Sequence, residues 1–276
     1  MSVDYNQLKF TANQIRQSII KSVHAAGSGH PGGSLSAVEL LTVLYFHKMN
    51  IDPNDSNKPD RDKFVLSKGH AAPVLYSTLA ERGYFEKDEL LNLRKMGAIL
   101  QGHPDMKRIP GVEMSTGSLG QGFSTSIGMA LANKLDNKEG KIYVLLGDGE
   151  IQEGLIWEAA MSAGHYQLDN LVAILDFNGL QIDGPNDEVM TVTPVKDKWE
   201  SFGWQVIEID GHDYDEIINA FDTAGKAGQP TMVIARTIKG KGVSFMEGHA
   251  GWHGKAPNDE EMKIALADLG GDADVK

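Results

Sequence analysis

The feature that most constrains the fold is a pair of apolar runs separated by one helix-like segment. The runs are residues 142–146 ("IYVLL") and 171–175 ("LVAIL"), and residues 151–163 between them have the length and composition of a helix. Two later apolar stretches, "WQVIEI" and "TMVIARTI", flank another helix-like segment, "YDEIINAFDTAGKA". Strands that alternate with helices of about ten or more residues predict an α/β fold, with a mostly parallel sheet and helices on both faces.

The first part of the chain predicts further helices. Ile15, Ile19 and Val23 recur at helical spacing, and "LSAVELLTVLYFHKM" indicates a second, largely buried helix. "FVLS" predicts a short strand, and "APVLYSTLAERG" and "KDELLNLRKMG" each predict a helix closed by glycine. Since the sequence contains no repeat, low-complexity tract or long linker, we expect residues 1–276 to form a single domain.

Composition argues against several classes of protein. With no cysteine, the chain can have no disulfide framework, thiolate metal site or cysteine nucleophile. A net charge of -12 argues against nucleic acid or an anionic membrane as a partner. No stretch approaches the roughly 18 apolar residues of a membrane span, and the N-terminus lacks the pattern of an export signal. We therefore expect a cytoplasmic protein.

Oxygen-bearing side chains follow both central runs. Asp148 comes directly after the first run in "GDG", and Asn178 follows the second in "DFNG". The carboxyl ends of parallel strands lie at one edge of a sheet, so the two side chains can meet over one crevice. Both are hard ligands suited to Mg²⁺, and Gly147 and Gly149 allow close approach of a phosphate. Together they indicate a diphosphate held by Mg²⁺, while either motif alone is better explained as a tight turn.

Several longer blocks carry a family resemblance. "SGHPGGSLSAVELLTVLYF", "DKFVLSKGHAAPVLYSTLAERGY", "GHPD", "STGSLGQGFSTSIGMALA" and "LQIDG", together with the GDG-to-Asn178 segment, resemble the N-terminal part of transketolases from about residue 10 to residue 257. The resemblance implies the diphosphate-binding domain of the thiamine diphosphate-binding fold. It also implies transfer of a two-carbon ketol unit from a ketose or ketose phosphate to an aldose, with thiamine diphosphate and Mg²⁺ as cofactors and Ca²⁺ or Mn²⁺ as substitutes.

The resemblance also implies roles for individual residues. Asp148 and Asn178 would bind Mg²⁺ through their side chains, and Leu180 through its backbone carbonyl. Leu119 would pack against the cofactor rings, in a loop where Ser118 replaces the proline that transketolases often carry. The expected cofactor-binding residues are His70, Gly117, Ser118, Leu119, Gly147, Asp148, Gly149, Asn178 and His253.

Five histidines lie beside glycine in expected loops: His30, His70, His103, His249 and His253. Most loop histidines have no catalytic role, yet ketol transfer needs groups that exchange protons near neutral pH. By resemblance His30, His103 and His253 face the substrate and His70 lies near the diphosphate. The block "GHAGWHGKAP" departs from the common family pattern, and it leaves His249 without an assignment.

Glu153 and Glu158 follow GDG on the expected helix. A charged helix face explains such residues in most proteins. In the family, these positions belong to a carboxylate network at the subunit interface, where buried like charges can share protons. Glu153 is therefore included among the expected catalytic residues, together with His30, His103 and His253.

The resemblance covers only the N-terminal part of a transketolase. The chain has no equivalent of the pyrimidine-binding and C-terminal domains, which in the family supply the glutamate that activates the cofactor and the residues that bind sugar phosphate. Either a separately encoded chain provides them, or this chain is a fragment of a longer transketolase. We expect the first, with a C-terminal subunit that joins this chain in a two-fold heterotetramer. Two alternatives stay open: a subunit of another thiamine diphosphate enzyme (2-oxoacid dehydrogenase α-type or deoxyxylulose phosphate synthase-like), and a non-catalytic nucleotide- or Mg²⁺-binding domain.

Overall fold

A computed structural model describes residues 3–56 and 58–271. Its strands are β1 (Lys63–Leu66), β2 (Ile142–Gly147), β3 (Leu171–Phe177), β4 (Leu180–Gln181), β5 (Gly184–Pro185), β6 (Gln205–Asp210) and β7 (Thr231–Arg236). Five of them form one sheet in the order β1-β2-β3-β7-β6, and every neighbouring pair is parallel. The short strands β4 and β5 pair antiparallel outside this sheet. The predicted parallel sheet is confirmed.

Helices surround the sheet. They are α1 (Tyr5–Ala26), α2 (Pro31–Leu35), α3 (Val38–Val43), α4 (Ala72–Arg82), α5 (Gln121–Leu135), α6 (Gly154–His165), α7 (Asn186–Val189), α8 (Val195–Ser201), α9 (Tyr214–Thr223) and α10 (Asp259–Asp268). The predicted helix at 151–163 is α6, which begins three residues later than expected because a 3₁₀ turn, Gly149–Gln152, follows β2 first.

Two apolar cores lie on opposite faces of the sheet, as strands of a buried parallel sheet require. Along β2, Tyr143 and Leu145 belong to one core, which includes residues of α1, α3, α4 and α9. Ile142, Val144 and Leu146 belong to the other core, which includes residues of α5, α6 and α8. The alternation of side chains along a strand therefore fixes which helices pack on which face.

One predicted helix is absent and another is interrupted. Residues 87–97 form only a short 3₁₀ segment, Lys87–Asn92, because Leu90 and Leu93 alone are buried and Arg94 pairs its N–H with the carbonyl of Leu100. The second predicted helix breaks between α2 and α3. The break lets the Ser36 hydroxyl donate a hydrogen bond of 2.6 Å to Asp176 on β3.

No helix within residues 3–56 and 58–271 has both the length and the apolar character needed to cross a membrane.

Candidate active site

A cavity of about 370 Å³ opens at the carboxyl edge of the sheet. Strands β2 and β3 end side by side, with Gly147 paired to Asp176, so the loops that follow them face the same crevice. Among the residues expected from the sequence, the cavity is lined by His30, His70, Gly117, Leu119, Gly147, Asp148, Gly149, Glu153, Asn178, Leu180 and His253. The predicted convergence of the two strand ends is thus observed.

Asp148 is a buried carboxylate held by backbone groups. Its side chain is 3% exposed, and it accepts hydrogen bonds from the N–H groups of Gly149 at 2.8 Å and Gly179 at 2.6 Å. Burial, followed by the nearby charge of Asp176, raises the pKa of Asp148 to about 6 against the opposing effect of these hydrogen bonds. A buried carboxylate with a raised pKa is an incompletely neutralised charge, which a bound cation would stabilise.

Asn178 and Leu180 present two further oxygen atoms. The Asn178 side-chain nitrogen donates to Asp176 at 3.4 Å, which directs its oxygen away, and that oxygen accepts from the Leu180 N–H at 3.1 Å. The described residues contain no group of three or more His, Cys, Asp or Glu side chains able to hold a metal. A carboxylate, an amide oxygen and a carbonyl instead match the sparse protein ligation of Mg²⁺, which takes its other ligands from phosphate and water. The residues therefore fit a magnesium–diphosphate group.

Two buried lysines belong to the site but were not selected from the sequence. Lys68 follows β1, forms an ion pair with Asp176 and donates to the Gly33 carbonyl at 2.7 Å. Burial alone would raise the pKa of Asp176, but Lys68 and hydrogen-bond donors outweigh it and hold that pKa below its ordinary value. Lys239 follows β7 and donates to the Leu180 carbonyl at 3.2 Å. Burial lowers the pKa of Lys239 to about 8.

The strand-end rule that selected Asp148 would also have found both lysines. Lys68 lies two residues after β1 and Lys239 three residues after β7. The apolar pattern of the strands did not reveal them, because each lysine lies just beyond the end of its strand and leaves the apolar run intact. Each is only 2% exposed, and both line the crevice where a diphosphate would bind.

His30, His70 and His253 form a cluster in the cavity. The ring centroids lie 5.3 Å apart for His30 and His70, 5.5 Å for His30 and His253, and 5.0 Å for His70 and His253. Burial is the main cause that lowers their pKa values to about 4 for His30, about 2 for His70 and about 3 for His253. All three rings are therefore neutral near pH 7.

Neutral imidazoles in this cluster can each donate and accept a proton. His253 Nδ1 lies 3.0 Å from the Lys239 ammonium and accepts from it, which leaves Nε2–H of that ring as a donor. His30 Nδ1 is buried and has no hydrogen-bond partner within the described residues. The His30 residue lines the cavity, and a buried polar atom without a partner is rare in a folded protein.

His103 and Ser118 are the expected site residues that do not line the cavity. Both are exposed, and the His103 ring packs beside Gly117, where a Cβ would lie 3.2 Å from its Cδ2 atom. Partial desolvation of the His103 ring, and then the charge of Arg94, lower the pKa of His103. His103 therefore lies at the mouth of the cavity, next to its Gly117 wall.

The acidic residues after β2 differ in position. Glu150 is buried, and its carboxylate accepts from the Ser67 hydroxyl at 2.5 Å, the Gly120 N–H at 2.8 Å and the Gly147 N–H at 3.0 Å. It thereby joins three loops that border the cavity. Glu153 and Glu158 are exposed, so the proposed interface network of these two carboxylates stays a prediction. His249 is exposed and remains without a role.

Known proteins resemble this chain in both sequence and fold. The family described as "Transketolase, thiamine diphosphate binding domain" matches residues 8–276. The chain is 48% identical over 270 residues to the "6-deoxy-6-sulfo-D-fructose transketolase subunit SqwG" of Clostridium sp. (strain MSTE9), covering 98% of each chain. It is 43% identical to one subunit of the apulose-4-phosphate transketolase of Phocaeicola vulgatus, covering 95% of this chain and 93% of the relative.

Longer transketolases match over part of their length. The solved transketolase of Campylobacter jejuni superposes with a TM-score of 0.94 at 35% identity, and the match covers 99% of this chain and 44% of that one. The transketolase of Rattus norvegicus is 47% identical over 249 residues, which are 90% of this chain and 40% of the relative. This chain thus spans less than half the length of these transketolases. The chain belongs to the transketolase family, as a subunit built on the thiamine diphosphate-binding domain of that family.

Proposed function

We propose that this chain is one subunit of a heteromeric transketolase and that its cavity holds the diphosphate end of thiamine diphosphate with Mg²⁺. The observation that carries the proposal is the meeting of the Asp148, Asn178 and Leu180 oxygen donors in one cavity with three neutral histidines. The matches to transketolases over the whole chain do not favour the alternative thiamine diphosphate enzymes.

Asp148, Asn178 and the Leu180 carbonyl would hold the metal, and the buried ammonium of Lys239 beside Leu180 would offset diphosphate charge. The remaining cofactor contacts would come from His70, Gly117, Ser118, Leu119, Gly147, Gly149 and His253. When bound, thiamine diphosphate supplies the electron sink that cleavage of a carbon–carbon bond beside a carbonyl requires.

The histidines of this chain would handle substrate protons. Neutral His30 and His253 can polarise a ketose carbonyl or accept a hydroxyl proton, and His103 at the mouth can contact the sugar farther out. Glu153 at the rim would take part through the carboxylate network between the two halves of the assembly. A neutral imidazole ring offers one donor and one acceptor nitrogen, which this role requires.

A second chain would complete the enzyme. We infer that residues 1–276 form one diphosphate-binding domain and that a C-terminal subunit supplies the pyrimidine-binding domain in a two-fold heterotetramer in the cytoplasm. The relatives of matching length are named as transketolase subunits, which supports such a partner. Their names include a sulfonated and a phosphorylated sugar, and we propose an anionic ketose as donor.

The test is a calorimetric titration of thiamine diphosphate into this chain assembled with its C-terminal subunit, with and without Mg²⁺. We expect tight binding only with Mg²⁺, and at least about a tenfold loss of affinity in Asp148→Ala, because a buried charge-assisted ligand is removed. Asp136→Ala, which removes an exposed carboxylate at the end of α5, is the matched control. Absence of binding to the wild-type complex would show that GDG and DFNG are only turns.

A further inference from the structure

Three polar side chains outside the cavity form a connected network next to the loop 237–241, which carries Lys239. Arg16 comes from α1, Glu39 from α3 and His212 from the turn between β6 and α9. The Arg16 guanidinium pairs with one carboxylate oxygen of Glu39 at 2.5 Å, and the other oxygen lies 3.0 Å from His212 Nδ1. Burial alone would raise the pKa of Glu39, but the His212 hydrogen bond and the charge of Arg16 outweigh it and hold that pKa below its ordinary value. We call these three residues the support network.

The support network holds the loop on both sides of Lys239. On one side, the Ile238 N–H donates to His212 Nε2 at 2.9 Å. On the other side, Arg16 Nε donates to the Lys241 carbonyl at 3.1 Å. A backbone N–H can only donate, so His212 Nε2 carries no proton and Nδ1 carries the ring proton. The hydrogen bonds thus fix the tautomer of His212 and make its Nε2 an acceptor for the loop.

Lys239 reaches into the cavity from this loop. Its ammonium lies 3.0 Å from His253 Nδ1 and donates to the Leu180 carbonyl at 3.2 Å. The next residue, Gly240, turns the chain at a φ of +80° and donates its N–H to the Gly32 carbonyl at 3.0 Å. A lysine ammonium lies at the end of a flexible stem, so its place depends on how firmly the backbone on either side is held.

We propose that the support network positions the Lys239 ammonium at the end of the cavity that takes the diphosphate. This inference rests on the proposed function, in which Lys239 offsets the charge of the diphosphate. The network lies outside the cavity, so it would act on the cofactor only through the loop. A network that merely joined α1 to α3 would lower stability when it is broken, without a selective effect on cofactor affinity.

The test separates the two hydrogen bonds of His212 with two variants. Asparagine can replace Nδ1 as the donor to Glu39 but has no atom in the position of Nε2, whereas the glutamine oxygen can take that position and accept from Ile238. Thiamine diphosphate with Mg²⁺ is titrated by calorimetry into each protein assembled with its C-terminal subunit. We expect His212→Asn to lower the affinity about fivefold, as loss of one hydrogen bond predicts, and His212→Gln to recover most of it. Equal losses in both variants, or none in either, would overturn the inference.

A double-mutant cycle shows whether His212 acts through Lys239. In a Lys239→Met background, His212→Asn should change the affinity by less than about twofold, because the group that it positions is gone. A full additional loss, or an unchanged affinity in Lys239→Met itself, would contradict the proposal. The matched control is His24→Asn, which removes a 2.8 Å contact with Asp259 that lies away from the loop. It should bind like wild type, and melting temperatures confirm that every variant is folded.

A second measurement needs no cofactor. Hydrogen exchange of the Ile238 amide should be slow in wild type and His212→Gln and fast in His212→Asn. NMR of the histidine ring nitrogens should show an unprotonated Nδ1 at His253 in wild type, because that atom accepts from Lys239, and a changed tautomer in His212→Asn. If neither signal differs between wild type and His212→Asn, the inference fails. If both differ as expected but the wild-type complex binds no thiamine diphosphate, only the proposed function fails.

Discussion

At the scale of single residues, the site is built from charged and polar groups that the fold removes from water. Asp148, Asp176, Lys68 and Lys239 are each at most 3% exposed, and they lie at or just beyond the ends of neighbouring parallel strands. Removing such groups from water is costly unless each has a partner. Asp176 and Lys68 neutralise each other, whereas Asp148 keeps a raised pKa and Lys239 a lowered one. Asp148 and Lys239, whose charges are not fully neutralised, both line the cavity, as does Lys68.

The Lys68–Asp176 ion pair should be energetically coupled. Replacing only Asp176 by Leu leaves the Lys68 ammonium buried without its counter-charge, and we expect a loss of about 3–5 kcal/mol in the free energy of unfolding. The double variant Lys68→Met/Asp176→Leu should lose clearly less than the sum of the two single variants. Urea denaturation of the four proteins measures this coupling. Strictly additive losses would show that the pair contributes no mutual stabilisation.

His70 should make stability depend on pH. Burial, with the nearby charge of Lys68, lowers its pKa from 6.5 to about 2, so the unfolded state alone takes up a proton between these values. The stabilising contribution is complete above pH 6.5 and decreases as the pH falls, by about 1.4 kcal/mol for each unit. His70→Gln should therefore reduce the fall in unfolding free energy between pH 6.5 and 5 by about 1–2 kcal/mol. If the free energy of unfolding depends on pH identically in wild type and His70→Gln, the His70 ring is not removed from solvent.

At the scale of elements, the sequence predicted strands better than helix boundaries. β2 and β3 were predicted because apolar residues continue on both faces of a buried strand, and only their last residues were missed. The segment 87–97 was wrongly predicted as a helix because Leu90 and Leu93 have helical spacing. That spacing could not show that Arg94 takes a positive φ and pairs with Leu100, since both depend on contacts across a loop.

Two helix glycines should respond oppositely to alanine. On α6, a Cβ at Gly164 would lie 1.9 Å from the Phe202 carbonyl, whereas at Gly128 on α5 it would meet nothing within 4 Å. Gly164→Ala should reduce the free energy of unfolding by about 1–3 kcal/mol, because the backbone near Phe202 must move. Gly128→Ala should increase it by about 0.5–1 kcal/mol through a less flexible unfolded chain. Denaturation curves of both variants provide the comparison, and equal effects would exclude close packing at Gly164.

At the scale of the whole molecule, the parallel topology brings the ends of several strands together at one site. Residues from the ends of β1, β2, β3 and β7 surround the cavity, although they are far apart in the chain. The sequence identified Asp148 and Asn178 because their strands are consecutive, and resemblance added the histidines. It did not identify Asp176 or the two lysines. Lys68 and Lys239 follow strand ends as Asp148 does, but their proximity to Asp148 and Asp176 depends on a strand order that places β1 and β7 beside the two central strands.

Binding of the cofactor should stabilise the assembled protein only when a divalent metal is present. A diphosphate brings negative charge to a crevice that already holds the Asp148 carboxylate, in a chain of net charge -12, so Mg²⁺ is needed to join the two. At a ligand concentration of one hundred times Kd, the stabilisation is about 2.7 kcal/mol, which for a chain of this size raises Tm by about 5 °C.

Thermal unfolding of the complex with its C-terminal subunit measures this shift. Thiamine diphosphate with Mg²⁺ should produce it, and excess EDTA should abolish most of it. ATP with Mg²⁺ is the control for general binding of a metal–polyphosphate and should leave Tm nearly unchanged, because Leu119 and the three histidines line a cavity that lacks the phosphate loop of nucleotide-binding domains. An equal Tm shift in EDTA would show that no metal takes part in cofactor binding. An equal Tm shift with ATP would favour a nucleotide-binding domain over part of a transketolase.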